Sequence, residues 1–164
     1  MIPTLPVVAH EHHERLMRHV DQLPALGDLI GTATIPVLRA EIDTALTFLA
    51  GTLIPHVDAA ERTLYPELER MLQNRHSMAP MRREHDEVRQ LVDQLVHIRH
   101  DLDGERLSTG ETIALRRVIF RLYALLKVHL AEEELYLGIV EHGVSPDAAD
   151  TLAAAMTHAV AAEI

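Results

Sequence analysis

Apolar residues recur at intervals of three and four along most of the chain, which is the spacing of amphipathic helices. Glycines and prolines divide this pattern into five helical blocks. The blocks cover residues of about 6–23, 37–64, 80–103, 108–142 and 146–162. The pattern predicts one all-α domain over residues 1–164, with an up-down-up-down four-helix bundle at about 6–142 and a short extra C-terminal helix.

Three interruptions of the helical pattern lead to more local predictions. Residues 24–36 contain several glycines, prolines and threonines, and they are predicted to form a loop. Pro55 lies inside the second block and is predicted to kink it, because proline cannot donate the helical hydrogen bond. The pair Tyr65-Pro66 either ends this block or begins a short extension to about Asn74.

The two halves of the chain repeat each other. The stretch HERLMRHVDQL begins at His13, and HDEVRQLVDQL begins 72 residues later at His85. The second and fourth blocks each carry a histidine followed by an acid, at offsets of 73 and 72 residues: His56 with Glu61, and His129 with Glu133. Two helix pairs related by a pseudo-twofold axis would place all of these side chains around one centre.

Composition excludes several classes of function. The net charge is −10, and the chain contains no Trp and no Cys. An acidic chain repels phosphate backbones and anionic lipids, so neither nucleic acid nor a membrane surface is an expected partner. The N-terminus lacks the pattern of a signal peptide, and no stretch is long and apolar enough to span a bilayer. A cytoplasmic protein is expected.

The chain contains 12 histidines, and four of them continue apolar helical stripes. Each of the four bundle helices thus directs one histidine towards the core, and two helices add a carboxylate. These residues are His13, His56, Glu61, His85, His129 and Glu133. Burying them would be very costly unless a metal compensated their polarity. Imidazole and carboxylate ligands without thiolate favour iron, manganese or zinc, and six donors suit two ions better than one.

This arrangement resembles the hemerythrin-like family, also called the HHE cation-binding domain, over roughly residues 8–142. The resemblance implies a four-helix bundle that holds two iron ions per chain, bridged by carboxylates and an oxo or hydroxo group. It assigns His13 and His56 to one iron and His85 and His129 to the other. The carboxylates expected to bridge the two irons are Glu61 and Glu133.

The second helix departs from the pattern of the family. Many members carry an acid four residues after the histidine, but position 60 is Ala, and Glu61 follows His56 by five residues. At about 100° per residue, this step rotates the carboxylate by about 140° from the histidine face. Asp58 is the alternative ligand from this helix.

The third helix lacks the second histidine of the oxygen carriers, since Met81 and Arg89 occupy the neighbouring positions. Tyr65, Tyr136 or open solvent positions are the candidates to complete the coordination of the iron. A metal with exchangeable positions favours reactivity over oxygen carriage.

Other polar residues near the predicted ligands are expected to face solvent. A helix distributes successive residues around its circumference, so only one member of the cluster His10-Glu11-His12-His13-Glu14 is expected to face inward. The side chains predicted to be solvated are His10, His12, His19, Glu132 and Glu134.

The sequence therefore predicts a non-haem di-iron protein that binds and reacts with small oxidants such as O₂, NO or H₂O₂, in a redox, nitrosative or oxidative stress response. Peroxidase-like, catalase-like and NO-consuming activities all fit this prediction, and the sequence identifies no reductant. The alternative is an iron or oxygen sensor or store without turnover. A helical interaction module with incidental histidines is a third reading, which predicts no metal.

Overall fold

The computed structural model describes residues 5–143 and residue 145, and within them it contains helices and no strand. The α-helices are α1 (Leu5–Val20), α2 (Leu23–Leu29), α3 (Ile35–Phe48), α4 (Ile54–Ala59), α5 (Tyr65–Met71), α6 (Ala79–Asp101) and α7 (Thr109–Gly143). Two π-helical segments, Leu49–Leu53 and Ala60–Leu64, join α3 to α4 and α4 to α5. The predicted helix at 146–162 lies outside the described residues.

The helices pack side by side around an apolar core, as expected for a helical bundle. Helix α7 packs against α1, α2 and α6, and α3 packs against α6. The main core is aliphatic and includes Leu16, Leu38, Leu49, Leu95, Leu122 and Leu126. A smaller apolar cluster lies around Tyr65, Leu68, Met78, Met81 and Leu137. The all-α prediction is confirmed, and among the described helices none is long and apolar enough to cross a membrane.

The predicted loop at 24–36 is wrong in its first half, which forms helix α2. Pro24 lies in the first turn of this helix, where its missing N–H is not needed. Leu23 and Leu26 are buried against the bundle. Gly27 is placed for close packing, since a Cβ atom there would lie 2.6 Å from Cζ of Phe120. Tertiary packing thus overrides the local signal of proline and glycine.

The second predicted block is one continuous helical run interrupted by two wide turns. The N–H of Ile54 donates to the carbonyl of Leu49, and the N–H of Tyr65 donates to the carbonyl of Ala60. Both hydrogen bonds span five residues, the π-helical pattern, instead of four. Each π segment therefore absorbs one extra residue and changes which side chains share a face further along the helix.

Prolines account for the position of both wide turns. Pro55 and Pro66 each lie two residues after a π segment ends. A proline in a regular α-helix clashes with the carbonyl four residues earlier, and that carbonyl falls inside the π segment in both cases. A local widening of the helix thus precedes Pro55, and the helix continues past Tyr65 to Met71.

Candidate metal centre

Five predicted ligands meet in the interior at the point where α1, α4, α6 and α7 converge. Their exposed fractions are 5% for His13, 3% for His56, 0% for His85, 1% for His129 and 0% for Glu133. They form two groups whose ligand atoms lie within 4.8 Å of one another: His13, His56 and Glu133, and His85, His129 and Glu133. Glu133 belongs to both groups, so it is placed between the two pairs of histidines.

The carboxylate of Glu133 faces two imidazoles with one of its oxygens. Its Oε2 lies 2.9 Å from Nε2 of His56 and 3.2 Å from Nε2 of His13. Its Oε1 is buried and has no hydrogen-bond partner among the described residues. An unpaired carboxylate oxygen in an apolar interior is costly, and a cation at this place would satisfy it.

The other two histidines face each other through their inner nitrogens. Nε2 of His85 lies 2.9 Å from Nε2 of His129, while Nδ1 of each ring contacts a carboxylate 2.8 Å away. A neutral imidazole carries one N–H, which the carboxylate engages, so both inner nitrogens present lone pairs. The Tyr65 hydroxyl lies 3.1 Å from Nε2 of His85 and can donate to one of these lone pairs. A cation beside both nitrogens would satisfy the pair, and about 3 Å is the separation expected for two imidazoles on one ion.

Each of the four histidines is also held from outside the cluster through its Nδ1 atom. The contacts are His13 with Glu134 at 2.8 Å, His85 with Glu61 at 2.8 Å, His129 with Glu84 at 2.8 Å, and His56 with His12 at 3.1 Å. Partners of this kind fix the tautomer and the orientation of metal-binding histidines. All four Nε2 atoms are consequently directed at the centre.

These outer contacts follow the internal repeat of the sequence. Glu61 accepts a hydrogen bond from His85, and Glu134 accepts the equivalent hydrogen bond from His13. The two acids are 73 residues apart. The same offset relates His56 to His129, so the counterpart of the central Glu133 is Ala60. The second half of the repeat thus supplies a carboxylate at the centre, and the first half supplies a methyl group.

Glu61, predicted as the second bridging carboxylate, lies at the edge of the cluster in this structure. Its Oε1 is 2.8 Å from Nδ1 of His85 and 3.1 Å from Arg89. Partial burial raises the pKa of Glu61, but Arg89 and His85 outweigh this effect and lower it. Asp58, the alternative ligand, forms an ion pair with Arg89 at 2.8 Å and lies outside the two ligand groups.

Tyr65 reaches the centre, whereas Tyr136 packs beside it. The Tyr65 hydroxyl is fully buried and lies 3.1 Å from Nε2 of His85. Tyr65 follows His56 by nine residues, a step of about 180° in a regular α-helix. The π segment at 60–64 absorbs one residue, which turns Tyr65 back to the side of His56. Tyr136 is half-buried against the smaller apolar cluster.

One prediction about a solvated side chain is wrong, because His12 is 1% exposed and contacts His56. The Glu134 side chain is 40% exposed, as expected for a solvated residue, but it also contacts both His13 and His10. His10 and His19 are exposed, as predicted. Helical phase alone places His12 and Glu134 off the buried stripe, yet both lie where two helices meet.

Glu84 was not among the residues predicted at the site, yet its carboxylate accepts a hydrogen bond from Nδ1 of His129. A signal for it was present in the repeat: Glu84 directly precedes His85, as His12 directly precedes His13. Both residues contact the second histidine of their own half of the chain. In each half of the repeat, the residue directly before the first histidine therefore predicts the partner for Nδ1 of the second histidine.

The charges of the centre are strongly interdependent. Burial by itself raises the pKa of Glu133, but the facing His56 and His13 imidazoles lower it well below its usual range. Burial also favours a low pKa for His13, and Glu133 and Glu134 reverse the effect and raise it. Burial and the neighbouring His129 lower the pKa of His85 to about 4. At neutral pH His85 is therefore uncharged, the form that binds metals.

An all-helical fold around buried histidines and a carboxylate defines a class of helical metal-binding proteins. The chain matches the model of the hemerythrin HHE cation-binding domain over residues 7–140. It therefore belongs to the hemerythrin HHE cation-binding family, as the resemblance in its sequence implied. No curated protein and no solved structure matches it.

The stability of the metal-free protein should fall as the pH decreases from about 6.5 to about 4. Burial lowers the pKa of His85 from 6.5 to about 4 and that of His12 to about 3. The unfolded chain therefore binds more protons than the folded chain in this range, so acidification favours unfolding. The lowered pKa of His85 alone corresponds to a loss of roughly 3 kcal/mol in the free energy of unfolding. The raised pKa of His13 acts in the opposite direction and removes part of this loss.

Urea unfolding of the chelator-treated protein at several pH values measures this effect. The variant His97→Asn is the control, because His97 is exposed on α6 and should leave the profile unchanged. A free energy of unfolding that stays constant or rises between pH 6.5 and pH 4 would contradict the expectation.

Proposed function

We propose that this protein holds two iron ions in the centre of an up-down-up-down bundle and reacts there with small oxidants, namely O₂, NO or H₂O₂. The observation that carries the proposal is the position of Glu133, which is shared by two groups of buried histidines. A single metal ion would need only one of these groups. Iron fits the donor set of neutral imidazoles and a carboxylate, and the family to which the chain belongs is a cation-binding one.

In this proposal His13 and His56 bind one iron, and His85 and His129 bind the other. Glu133 would contribute to both metal positions, because its carboxylate belongs to both groups and its Oε1 has no hydrogen-bond partner among the described residues. The irons supply the redox chemistry and the exchangeable coordination positions for the oxidant. Glu61 and Glu134 orient His85 and His13 by accepting hydrogen bonds from their Nδ1–H groups.

Few protein donors per metal favour reactivity over storage of oxygen. Each group offers two imidazoles and a share of one carboxylate, and Ala60 leaves the opposite side without an acid. Met81 lies four residues before His85, at one of the two positions where oxygen carriers would place a further histidine, and it is 1% exposed and packs in the apolar cluster around Tyr65. Open positions would therefore remain at the metals, and the Tyr65 hydroxyl, 3.1 Å from Nε2 of His85, is an additional oxygen donor.

The bridging role of Glu133 is tested by metal content. We expect two irons per chain in the unaltered protein and a loss of both in Glu133→Ala, because the residue belongs to both groups. Glu132→Ala is the matched control, as the neighbouring residue is only half-buried and belongs to neither group. Metal analysis that gives one ion per chain, or full iron content in Glu133→Ala, would refute the two-iron proposal.

The role of Tyr65 is tested by Tyr65→Phe, with Tyr136→Phe as the matched control. If the Tyr65 oxygen binds ferric iron, the iron-loaded protein has a phenolate-to-iron absorption band in the visible range, and Tyr65→Phe abolishes it. Tyr136→Phe leaves the band intact, since Tyr136 packs in the apolar cluster. Identical visible spectra of the unaltered protein and Tyr65→Phe would show that Tyr65 only hydrogen-bonds to His85.

Reaction with small oxidants is tested by rapid mixing. After reduction, the iron-loaded protein should autoxidise quickly in air and should consume H₂O₂ or NO measurably, whereas Glu133→Ala should not. A reversible oxygen adduct that survives for hours would support carriage instead. If no oxidant changes the spectrum or is consumed, the alternative of an iron or oxygen sensor or store replaces the reactive centre.

A further inference from the structure

His12 is a buried side chain that neither the predicted ligand set nor the proposed function explains. It lies on α1, is 1% exposed, and its Nε2 is 3.1 Å from Nδ1 of His56. Its own Nδ1 is buried without a hydrogen-bond partner among the described residues. Leaving a buried polar atom unsatisfied opposes folding, so packing alone does not explain an imidazole at this position.

The internal repeat supplies a comparison within the same molecule. Glu84 occupies the position in the second half that His12 occupies in the first, directly before the histidine of the first helix of each pair. Glu84 contacts Nδ1 of His129 as His12 contacts Nδ1 of His56. The two contacts differ in one respect: the second half presents a carboxylate, and the first half presents an imidazole.

The position of the proton follows from which nitrogen of His56 faces the centre. Nε2 of His56 is directed at Glu133, so a metal there would take its lone pair and leave the proton on Nδ1. Nδ1–H of His56 then donates to Nε2 of His12, and His12 carries its own proton on Nδ1. A carboxylate acceptor would draw this proton more strongly and make His56 a more basic ligand.

We propose that His12 is a positioning residue for His56, and that its imidazole makes the His13–His56 position the more easily reduced of the two metal positions. The three other histidines have carboxylate partners, which increase electron donation and stabilise a higher oxidation state. The weaker donation from His56 leaves its metal poorer in electrons. This inference rests on the proposed two-iron function.

Three substitutions of His12 separate its possible contributions. His12→Gln keeps a neutral acceptor, the amide oxygen, within reach of His56. His12→Glu reproduces the arrangement of the second half. His12→Leu removes the acceptor and keeps an apolar side chain of similar bulk. Glu84→Gln is the reciprocal variant, since it gives His129 a neutral partner, and His97→Leu is an exposed control.

The first measurement concerns position and uses zinc, which is diamagnetic and binds the same donors. In the zinc-loaded protein, the ¹⁵N spectrum of the imidazoles should show His56 protonated at Nδ1 and His12 protonated at Nδ1. His12→Leu should weaken the binding of one of the two zinc ions by about 10–100-fold. His12→Gln should restore the affinity, which a purely space-filling role of His12 would not require.

The second measurement concerns reduction and uses an electrode with the iron-loaded protein. His12→Glu should shift the potential for uptake of the first electron to lower values, and His12→Gln should leave it nearly unchanged. Glu84→Gln should raise the potential of the second metal position and reduce the difference between the two. Circular dichroism of each metal-free variant verifies that the helices have formed.

The outcomes distinguish this inference from the proposed function. If the unaltered protein binds two irons, but His12→Leu retains both affinities and His12→Glu retains the potential, the role of His12 is refuted and the two-iron function stands. If the unaltered protein binds fewer than two metal ions, both proposals are refuted. If His12→Leu loses metal and His12→Gln loses it equally, His12 acts only by packing, and its positioning role is refuted.

Discussion

The fold converges on a set of donor atoms that would repel one another or remain unsatisfied in an apolar interior. Two imidazole nitrogens lie 2.9 Å apart, and a buried carboxylate oxygen lies beside them without a partner. Four helices are needed to assemble the four buried histidines, because each helix contributes only one of them. A cation resolves the conflict, so the packing of the bundle and the binding of metal are energetically linked. Most of the other polar contacts around the centre serve to keep the donors aligned.

The histidines were predictable from sequence, because each continues a helical stripe of apolar residues. His13 and His85 also begin matching stretches, which indicates that they occupy equivalent places. Buried stripes depend only on helical periodicity, and periodicity holds wherever the helix is regular. The same argument succeeds for Glu133, which follows His129 by four residues. Sequence reasoning was thus sufficient for the side chains whose positions follow from an unbroken α-helix.

It was insufficient where the helix is irregular or where two helices meet. The position of Tyr65 depends on a wide turn before Pro66, which changes the angular count by one residue. The burial of His12 depends on how α1 packs against the helix of His56, which helical phase does not specify. Helix α2 forms in a segment of weak local signal because Leu23 and Leu26 reach the core. Each of these features is determined by tertiary packing.

The internal repeat explains why the centre is nearly symmetric, and its departures explain where the symmetry fails. Equivalent helices supply equivalent histidines, and the acids Glu61 and Glu134 hold the first histidine of opposite halves. Two of the differences between the halves change charge at the centre, namely Ala60 against Glu133 and His12 against Glu84. Both differences remove negative charge from the first half. In the proposed two-iron function, a centre with a single carboxylate between the histidines would neutralise less of the charge of the two ions and would leave more of their coordination to small anions and to the Tyr65 oxygen, which lies 3.1 Å from Nε2 of His85. The same asymmetry would then distinguish the two metal positions and favour exchange of small ligands over permanent occupation of the site.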